Sequence, residues 1–170
     1  VFFHLWSKEN GQGRRLRVCQ VDPFTGIWHS VETERTVSHY CWKNENSVLA
    51  TTQDKSGEWH YSLYDLAADT RTDLDLALKR DGHPMFHPLD PNVIVTDTYP
   101  DKRREQHLCI VDLSTGGIGE LATLYNPPKY YRSQVRCDLH PRWDREGRFV
   151  VVDSVAKGIR CLLCINANEI

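Results

Sequence analysis

The segment His83-Pro-Met-Phe86 is followed by the apolar run Asn92-Val-Ile-Val-Thr-Asp97, and this pattern occurs three times in the chain. Each copy has a histidine, two residues and an aromatic residue, and then a turn and a short apolar strand. The other copies are His39-Tyr-Cys-Trp42 with Ser47-Val-Leu-Ala-Thr-Thr52, and His140-Pro-Arg-Trp143 with Arg148-Phe-Val-Val-Val-Asp153. A pattern that recurs at this spacing indicates a fold assembled from similar structural units.

A second repeat alternates with these copies along the chain and consists of the end of a strand and the turn after it. Its strands end at Asp22, Asp65, Asp112 and, in a weaker copy, Asn166. Asp and Asn accept hydrogen bonds from the backbone of the turn that follows them, which suits them to this position. An alternating stretch such as Leu74-Asp-Leu76-Ala-Leu78 then predicts an outer strand. Four antiparallel strands per unit, without a sustained helical period, predict an all-β fold made of β-propeller blades.

The blades form part of a single domain, which suits a chain of 170 residues. Residues 36–80 and 81–125 each contain a whole blade, whereas residues 1–35 and 136–170 contain parts of two others. Propellers close with about four to eight blades, and an open set leaves sheet edges exposed. We therefore expect this segment to be an incomplete set, completed by further sequence or by another chain.

Composition and charge argue against several classes of protein. Hydrophobic residues make up 40% and charged residues 26% of the chain, as in ordinary globular domains. The net charge is −2, so a basic face for nucleic acid or an anionic membrane is not expected. The apolar runs are shorter than a membrane span, and these residues contain no signal-peptide pattern.

Histidines at the starts of the inner strands form the first candidate site. Asp138 and His140 point the same way on an extended strand, and His83 leads the neighbouring inner strand. Two imidazoles and a carboxylate suit Zn²⁺ or Mn²⁺. Cys137 points away on a regular strand and would ligate only if the start of the strand is bent. The alternative is that each histidine only hydrogen-bonds to the neighbouring blade.

His39 and His60 form a second candidate pair, at the starts of the inner and third strands of one blade. Two imidazoles in a polar cleft suit proton transfer or neutralisation of a substrate carboxylate. For His60 alone, the alternative is an ordinary surface position on a strand. Candidate helpers, by location, are Tyr99, Tyr131 and Arg136.

Propeller polysaccharide lyases, which include oligogalacturonate lyase and the propeller-type ulvan lyases, are similar to this chain in a few short segments. The segments are Asp81-Gly-His83-Pro-Met-Phe86, Thr96-Asp97-Thr98-Tyr99-Pro100 and Arg136-Cys-Asp138-Leu-His140-Pro-Arg-Trp143. The blade pattern also resembles that of TolB-like propellers. The resemblance implies cleavage of a uronic-acid polysaccharide by β-elimination, a divalent metal that could be structural, and a secreted or periplasmic location.

The resemblance also suggests roles for residues. Oligogalacturonate lyase carries metal-binding histidines at inner-strand starts, and here Asp138 stands where a histidine is expected while His140 keeps its place. The ulvan enzymes use two histidines about one hairpin apart with Tyr and Arg helpers, a spacing that His39 and His60 match. Arg136 with one of these histidines would neutralise the carboxylate. The other histidine, with Tyr99 or Tyr131, would transfer protons.

Three classes of function remain open from the sequence. The first is a polysaccharide lyase acting on an acidic polysaccharide. The second is a non-catalytic TolB-like propeller that binds a protein or peptide and needs no metal. The third, the propeller part of a prolyl-peptidase-like hydrolase, requires a Gly-x-Ser-x-Gly turn elsewhere, and this sequence contains none.

Overall fold

The computed structural model describes residues 2–5, 15–19, 28–32, 34–130 and 134–169. These residues form four antiparallel sheets, which we call the first to fourth blades. The first blade contains β1 (Phe2–Leu5), β2 (Arg15–Cys19) and β3 (Trp28–Ser30). The second contains β4 (Thr36–Asn44), β5 (Ser47–Gln53), β6 (Trp59–Asp65) and β7 (Thr70–Asp73).

The remaining two blades complete the described part of the chain. The third contains β8 (Met85–Phe86), β9 (Val93–Asp97), β10 (Glu105–Asp112) and β11 (Ile118–Tyr125). The fourth contains β12 (Arg142–Trp143), β13 (Phe149–Ser154) and β14 (Cys161–Asn166). Short 3₁₀ turns lie at Pro128–Tyr130 and Ala167–Glu169. In each sheet, strands that are neighbours in sequence are hydrogen-bonded neighbours, and the all-β prediction is confirmed. Among these residues, no helix has the length and apolar character needed to cross a membrane.

The apolar runs of the repeat become strands that are buried on both faces. In β5, Val48 and Ala50 pack in a cluster with Val37 and Tyr64, whereas Leu49 packs in the core between the second and third blades. Successive side chains of a strand point to opposite faces, so a strand covered on both sides needs a continuous apolar run.

The second strand of the third blade, β9, shows the same division of side chains. In β9, Ile94 joins the core shared with the second blade, and Val95 joins the core shared with the fourth blade. The hydroxyl of Tyr61 in β6 hydrogen-bonds to Thr96 Oγ1 at 2.9 Å across the first of these interfaces. The blades therefore pack face to face, and their order in space follows their order in the chain.

The predicted outer strand at Leu74–Leu78 is wrong. The strand that pairs with β6 is β7, Thr70–Asp73, and all its residues are exposed. The apolar alternation after it has another cause, because Leu74, Leu76 and Leu78 pack against the core between the second and third blades. Alternation there reflects packing of a connecting segment and not strand pairing.

The strand-end acids act in turns, as their positions predict. Asp65 Oδ1 accepts hydrogen bonds from the N–H groups of Ala67 and Ala68 at 2.9 Å. Asp112 Oδ1 accepts from the N–H of Ser114 at 2.8 Å. These carboxylates therefore stabilise the turns that connect strands within a blade. Asp22 lies outside the described residues.

Candidate functional site

Three histidines meet where the first strands of successive blades come together. Strand β8 contacts both β4 and β12. His39 lies in β4, His83 two residues before β8, and His140 two residues before β12. The ring centroids of His39 and His83 are 3.8 Å apart, and those of His83 and His140 are 4.4 Å apart. The structure therefore places one imidazole from each of three blades in a continuous row.

The middle imidazole is held by a carboxylate at the end of β9. Asp97 Oδ1 accepts hydrogen bonds from the backbone N–H of His83 at 2.7 Å and from Nδ1 at 2.9 Å. Burial alone would lower the pKa of His83, but the hydrogen bond and charge of Asp97 raise it above its ordinary value. With Nδ1 engaged, Nε2 is directed elsewhere, and within the described residues this buried atom has no hydrogen-bond partner.

Asp138 and His140 lie close to His83. Asp138 is 4% exposed, and its Oδ2 pairs with Arg136 Nε at 2.8 Å. The described part of the chain offers no hydrogen-bond partner to Asp138 Oδ1. His140 has a φ of 42°, a left-handed conformation that is uncommon for residues other than glycine and that recurs at functional sites. Burial and the nearby His83 lower the pKa of His140.

This group fits a divalent metal ion. One ligand atom from each of His83, Asp138 and His140 lies within 4.8 Å of the others. Nitrogen and carboxylate ligands suit Zn²⁺ or Mn²⁺. The Asp97–His83 contact has the form of the carboxylate partner that usually orients a metal-binding imidazole. A bound ion would also satisfy the two ligand atoms for which no described residue is a partner.

Cys137 does not join the group. It is buried, and its thiol contacts the carbonyl oxygen of Asp138 at 3.9 Å. Burial raises the pKa of the Cys137 thiol, which opposes the thiolate that metal binding requires. Its side chain is separated from that of Asp138 because successive side chains in extended backbone diverge. The prediction that Cys137 contributes a ligand is therefore not supported by the geometry.

His39 and Tyr99 form a hydrogen-bonded pair beside this group. His39 Nε2 and the Tyr99 hydroxyl are 3.0 Å apart. Burial, followed by the negative charge of Asp81 and Asp138, raises the pKa of Tyr99, so the phenol keeps its proton at neutral pH. The Arg136 guanidinium lies over the Tyr99 ring, 5.5 Å from its centroid. Three of the predicted residues are thus brought together.

Asp81 belongs to the same neighbourhood and was missed as a candidate. Its Oδ2 lies 3.9 Å from His39 Nε2 and accepts a hydrogen bond from the Ser38 hydroxyl at 2.6 Å. Thr51 Oγ1 donates to its Oδ1 at 3.0 Å. Burial raises the pKa of Asp81. The sequence does contain a signal for Asp81, because this residue lies two positions before His83 in a segment that resembles the propeller polysaccharide lyases.

His60 does not pair with His39, which corrects the second predicted site. His39 is opposite Thr51 on β5, and His60 is opposite Thr52. Residues that are opposite each other in a sheet share a face, and Thr51 and Thr52 point to different faces. His60 Nε2 instead lies 3.0 Å from Asp54 Oδ2. The two imidazoles therefore lie on opposite faces of the second blade.

A hairpin motif repeated in two blades explains the position of His60. Sequence reasoning missed this motif, although an acid, a glutamate and a histidine recur at the same spacing in Asp54, Glu58 and His60 and in Asp101, Glu105 and His107. Asp54 Oδ1 accepts from the N–H of Ser56 and of Glu58, and Asp101 Oδ1 accepts from the N–H of Arg103 and of Glu105. Nε2 of the histidine in each motif lies near Oδ2 of the aspartate, at 3.0 Å for His60 and 4.0 Å for His107. The repeat indicates a role in shaping the hairpin. The last predicted helper, Tyr131, lies outside the described residues.

Comparison with known proteins supports the fold and leaves the family open. No protein-family profile and no curated protein matches the chain. TolB from Acinetobacter baumannii has a similar structure, with a TM-score of 0.71 at 15% identity over 92% of this chain. An oligogalacturonate lyase in complex with manganese has a TM-score of 0.68 at 15% identity over 84% of this chain. The β-propeller domain of the Trilobed protease from Pyrococcus furiosus has a TM-score of 0.54 at 15% identity over 81% of it.

These similarities show that the chain has a β-propeller fold, which confirms the predicted fold class. The aligned region spans 36% of the TolB chain, 39% of the lyase chain and 40% of the protease chain. The chain therefore corresponds to little more than a third of each of these structures. Because TolB and a lyase share the fold, the fold does not select between binding and catalysis.

Proposed function

We propose that this protein is a polysaccharide lyase that cleaves a uronic-acid polymer by β-elimination. One observation carries the proposal: two buried ligand atoms, His83 Nε2 and Asp138 Oδ1, lack partners among the described residues and lie beside the His39–Tyr99 pair. Buried polar atoms are normally satisfied, so their presence here indicates a site built for a ligand. An adjacent proton-transfer pair indicates chemistry in addition to binding.

The substrate's carboxylate has to be neutralised before the reaction can proceed. The proton on C5 of a uronate is weakly acidic until positive charge stabilises the enolate that forms when it leaves. Arg136 supplies such charge, because half of its side chain is exposed beside the site while its Nε pairs with Asp138. A divalent ion held by His83, Asp138 and His140 would add Lewis-acid stabilisation of the same carboxylate. The manganese bound by the structurally similar oligogalacturonate lyase supports Mn²⁺ as the ion.

The His39–Tyr99 pair is suited to both proton transfers. His39 accepts the proton from C5, and the electrons of that bond form the C4–C5 double bond. The bond from C4 to the glycosidic oxygen breaks, and this oxygen takes the proton of the Tyr99 hydroxyl. The raised pKa of Tyr99 keeps that proton available at neutral pH. The proton then returns from His39 to Tyr99 across their 3.0 Å contact.

The test is an assay for the unsaturated uronate product by its ultraviolet absorbance. Polygalacturonate and ulvan are the substrates, and a neutral galactan is the control. Cleavage of a uronate polymer that stops with chelator and returns with Mn²⁺ or Zn²⁺ is the expected result. Absence of product from both acidic polymers, with protein and metal present, would overturn the lyase proposal and favour a TolB-like binding role.

A further inference from the structure

A cleft of about 350 Å³ adjoins the His39–Tyr99 pair and extends beyond it. It lies between the hairpin that starts β6 and the loop after β9. Its lining residues are Trp59, Arg80, Asp81, Tyr99, Pro100 and Asp101. Tyr99 and Asp81 both line this cleft, and both also contact His39, so the cleft borders the proton-transfer pair. The volume is in the range of small-molecule sites.

Trp59 gives the cleft an aromatic wall. It begins β6 and is partly exposed, opposite Gln53 on β5. One face of a pyranose ring carries mainly C–H groups, and an indole ring covers such a face well because it is large, flat and rigid. The sugar's hydroxyl groups then remain at the edge, where water and polar side chains reach them.

Arg80 gives the cleft an uncommitted positive charge. It is exposed, and no ion pair of Arg80 occurs within the part of the chain that the structure describes. The two acids of the cleft have other partners. Asp81 accepts hydrogen bonds from Ser38 and Thr51, and Asp101 Oδ1 accepts from backbone N–H groups of its own hairpin. The Arg80 guanidinium therefore keeps its donors for an incoming anion.

We propose that this cleft is a subsite for one uronate unit, with its ring stacked on Trp59 and its carboxylate bound by Arg80. The planar guanidinium matches a carboxylate with two parallel hydrogen bonds, which a lysine does not reproduce. The neighbouring sugar of the same polymer then lies at the His39–Tyr99 pair, because Tyr99 lines the cleft and contacts His39. This inference rests on the proposed function and makes the uronate carboxylate the recognised group.

The experiment measures binding of saturated trigalacturonate by calorimetry in the presence of chelator, which on the proposed function stops cleavage, with a neutral galactose trisaccharide as the control ligand. Arg80→Gln and Trp59→Ala should each weaken trigalacturonate binding by about tenfold or more, the amount expected for loss of one charged hydrogen-bonded pair or one stacked ring. Arg80→Lys should remain weak, and Trp59→Phe should bind better than Trp59→Ala. Arg103→Gln, an exposed arginine on the neighbouring hairpin that does not line the cleft, should bind like the wild type.

The failure of this inference can be told apart from failure of the lyase proposal. Binding that depends on Arg80 and Trp59 without any cleavage would support the subsite and reject the lyase. Cleavage with unchanged trigalacturonate affinity in Arg80→Gln and Trp59→Ala would keep the lyase and reject the subsite. Equal affinity of the wild type for the charged and neutral trisaccharides would also reject it. Circular dichroism of each variant verifies that the blades remain folded.

Discussion

The imidazoles of His39 and His83 lie with their ring centroids 3.8 Å apart and their planes tilted by 48°, although they lead different blades. Their contact is fixed from both sides: Tyr99 hydrogen-bonds to His39, and Asp97 holds His83. Both of these residues come from the end of β9 or the loop that follows it. The candidate site is therefore a property of the junction between blades, and its geometry depends on how the second and third blades pack.

A metal-binding test follows from the His83, Asp138 and His140 group. Adding Mn²⁺ or Zn²⁺ to chelator-treated protein should raise its unfolding temperature, because an ion that binds only the folded state adds about 2.7 kcal/mol at a hundredfold excess over Kd. His140→Ala should remove most of the shift. His107→Ala is the comparison, since Asp101, Glu105 and His107 form a separate group of possible ligands; a shift lost in His107→Ala and kept in His140→Ala would place the ion in that hairpin instead. An equal shift in the His140 variant would reject the site.

The His39–Tyr99 pair should matter more to turnover than to folding. Tyr99→Phe removes the hydroxyl that contacts His39 and keeps the ring under Arg136. General acid–base groups contribute about 10²–10⁴-fold, so the rate on a uronate polymer should fall by at least about 10²-fold. Steady-state kinetics and thermal unfolding are measured on the same samples. A Tyr99→Phe variant with the wild-type rate would remove Tyr99 from the proposed chemistry.

His60 should behave as a hairpin residue. His60→Ala loses the contact with Asp54 and should lower the free energy of unfolding by about 0.5–1.5 kcal/mol, the usual net value of one hydrogen bond. Its turnover should stay within a few-fold of the wild type. His107→Ala, at the same position of the next blade, should give a similar result. A hundredfold loss of turnover in His60→Ala alone would instead restore His60 as a catalytic group.

Glu32 should make stability depend on pH. Its Oε2 accepts hydrogen bonds from Arg71 and from the Tyr64 hydroxyl, both at 2.7 Å. Burial would raise the pKa of Glu32, but the hydrogen bonds lower it below its ordinary value of 4.5. The folded state therefore favours the ionised form, and this contribution is present above pH 4.5 and lost as the pH falls through the lowered pKa.

The comparison of Glu32→Gln with the wild type isolates that contribution. Chemical unfolding across a pH series should show the variant less stable at neutral pH, with the gap closing as the pH falls below about 4.5. Glu45→Gln, at an exposed position, should follow the wild type at every pH. A gap between wild type and Glu32→Gln that stays constant down to pH 3, or that widens with acid, would contradict the assigned role, because pH 3 is about 1.5 units below the ordinary pKa of 4.5.

Gly82 should be intolerant of a side chain. A Cβ at this position would collide with the carbonyl oxygen of Asp97 and would lie 2.9 Å from Thr96 Oγ1. Gly82→Ala should therefore displace the strand end that holds His83 and cost about 1–3 kcal/mol of unfolding free energy, with loss of metal binding. Gly117→Ala is the control, because its Cβ would meet only the flexible Thr115 side chain. Normal metal affinity in Gly82→Ala would show that the packing there can relax.

The blades and the residues that lead them were predictable from the repeats alone. Blades repeat because each four-stranded unit has to cover its neighbour, which requires a second strand that is apolar on both faces, as in Val48-Leu49-Ala50. The histidine before each aromatic residue marks the same point of the repeat, so His39, His83 and His140 could be assigned to a common end. Alternation alone was misleading at Leu74–Leu78, because packing of a connecting segment gives the same pattern as a strand.

Which side chains meet depends on the pairing of strands and the packing of blades. His39 and His60 are both near strand starts, and the pairing register that places them opposite Thr51 and Thr52 sends them to opposite faces. Sequence spacing does not specify that register, since a shift of one residue reverses every side chain of a strand. The contact of Asp97 with His83, and the placement of Trp59 and Arg80 around one cleft, likewise depend on packing between separate strands and loops. Such contacts depend on how two whole blades pack against each other, and no single segment of the sequence specifies that packing.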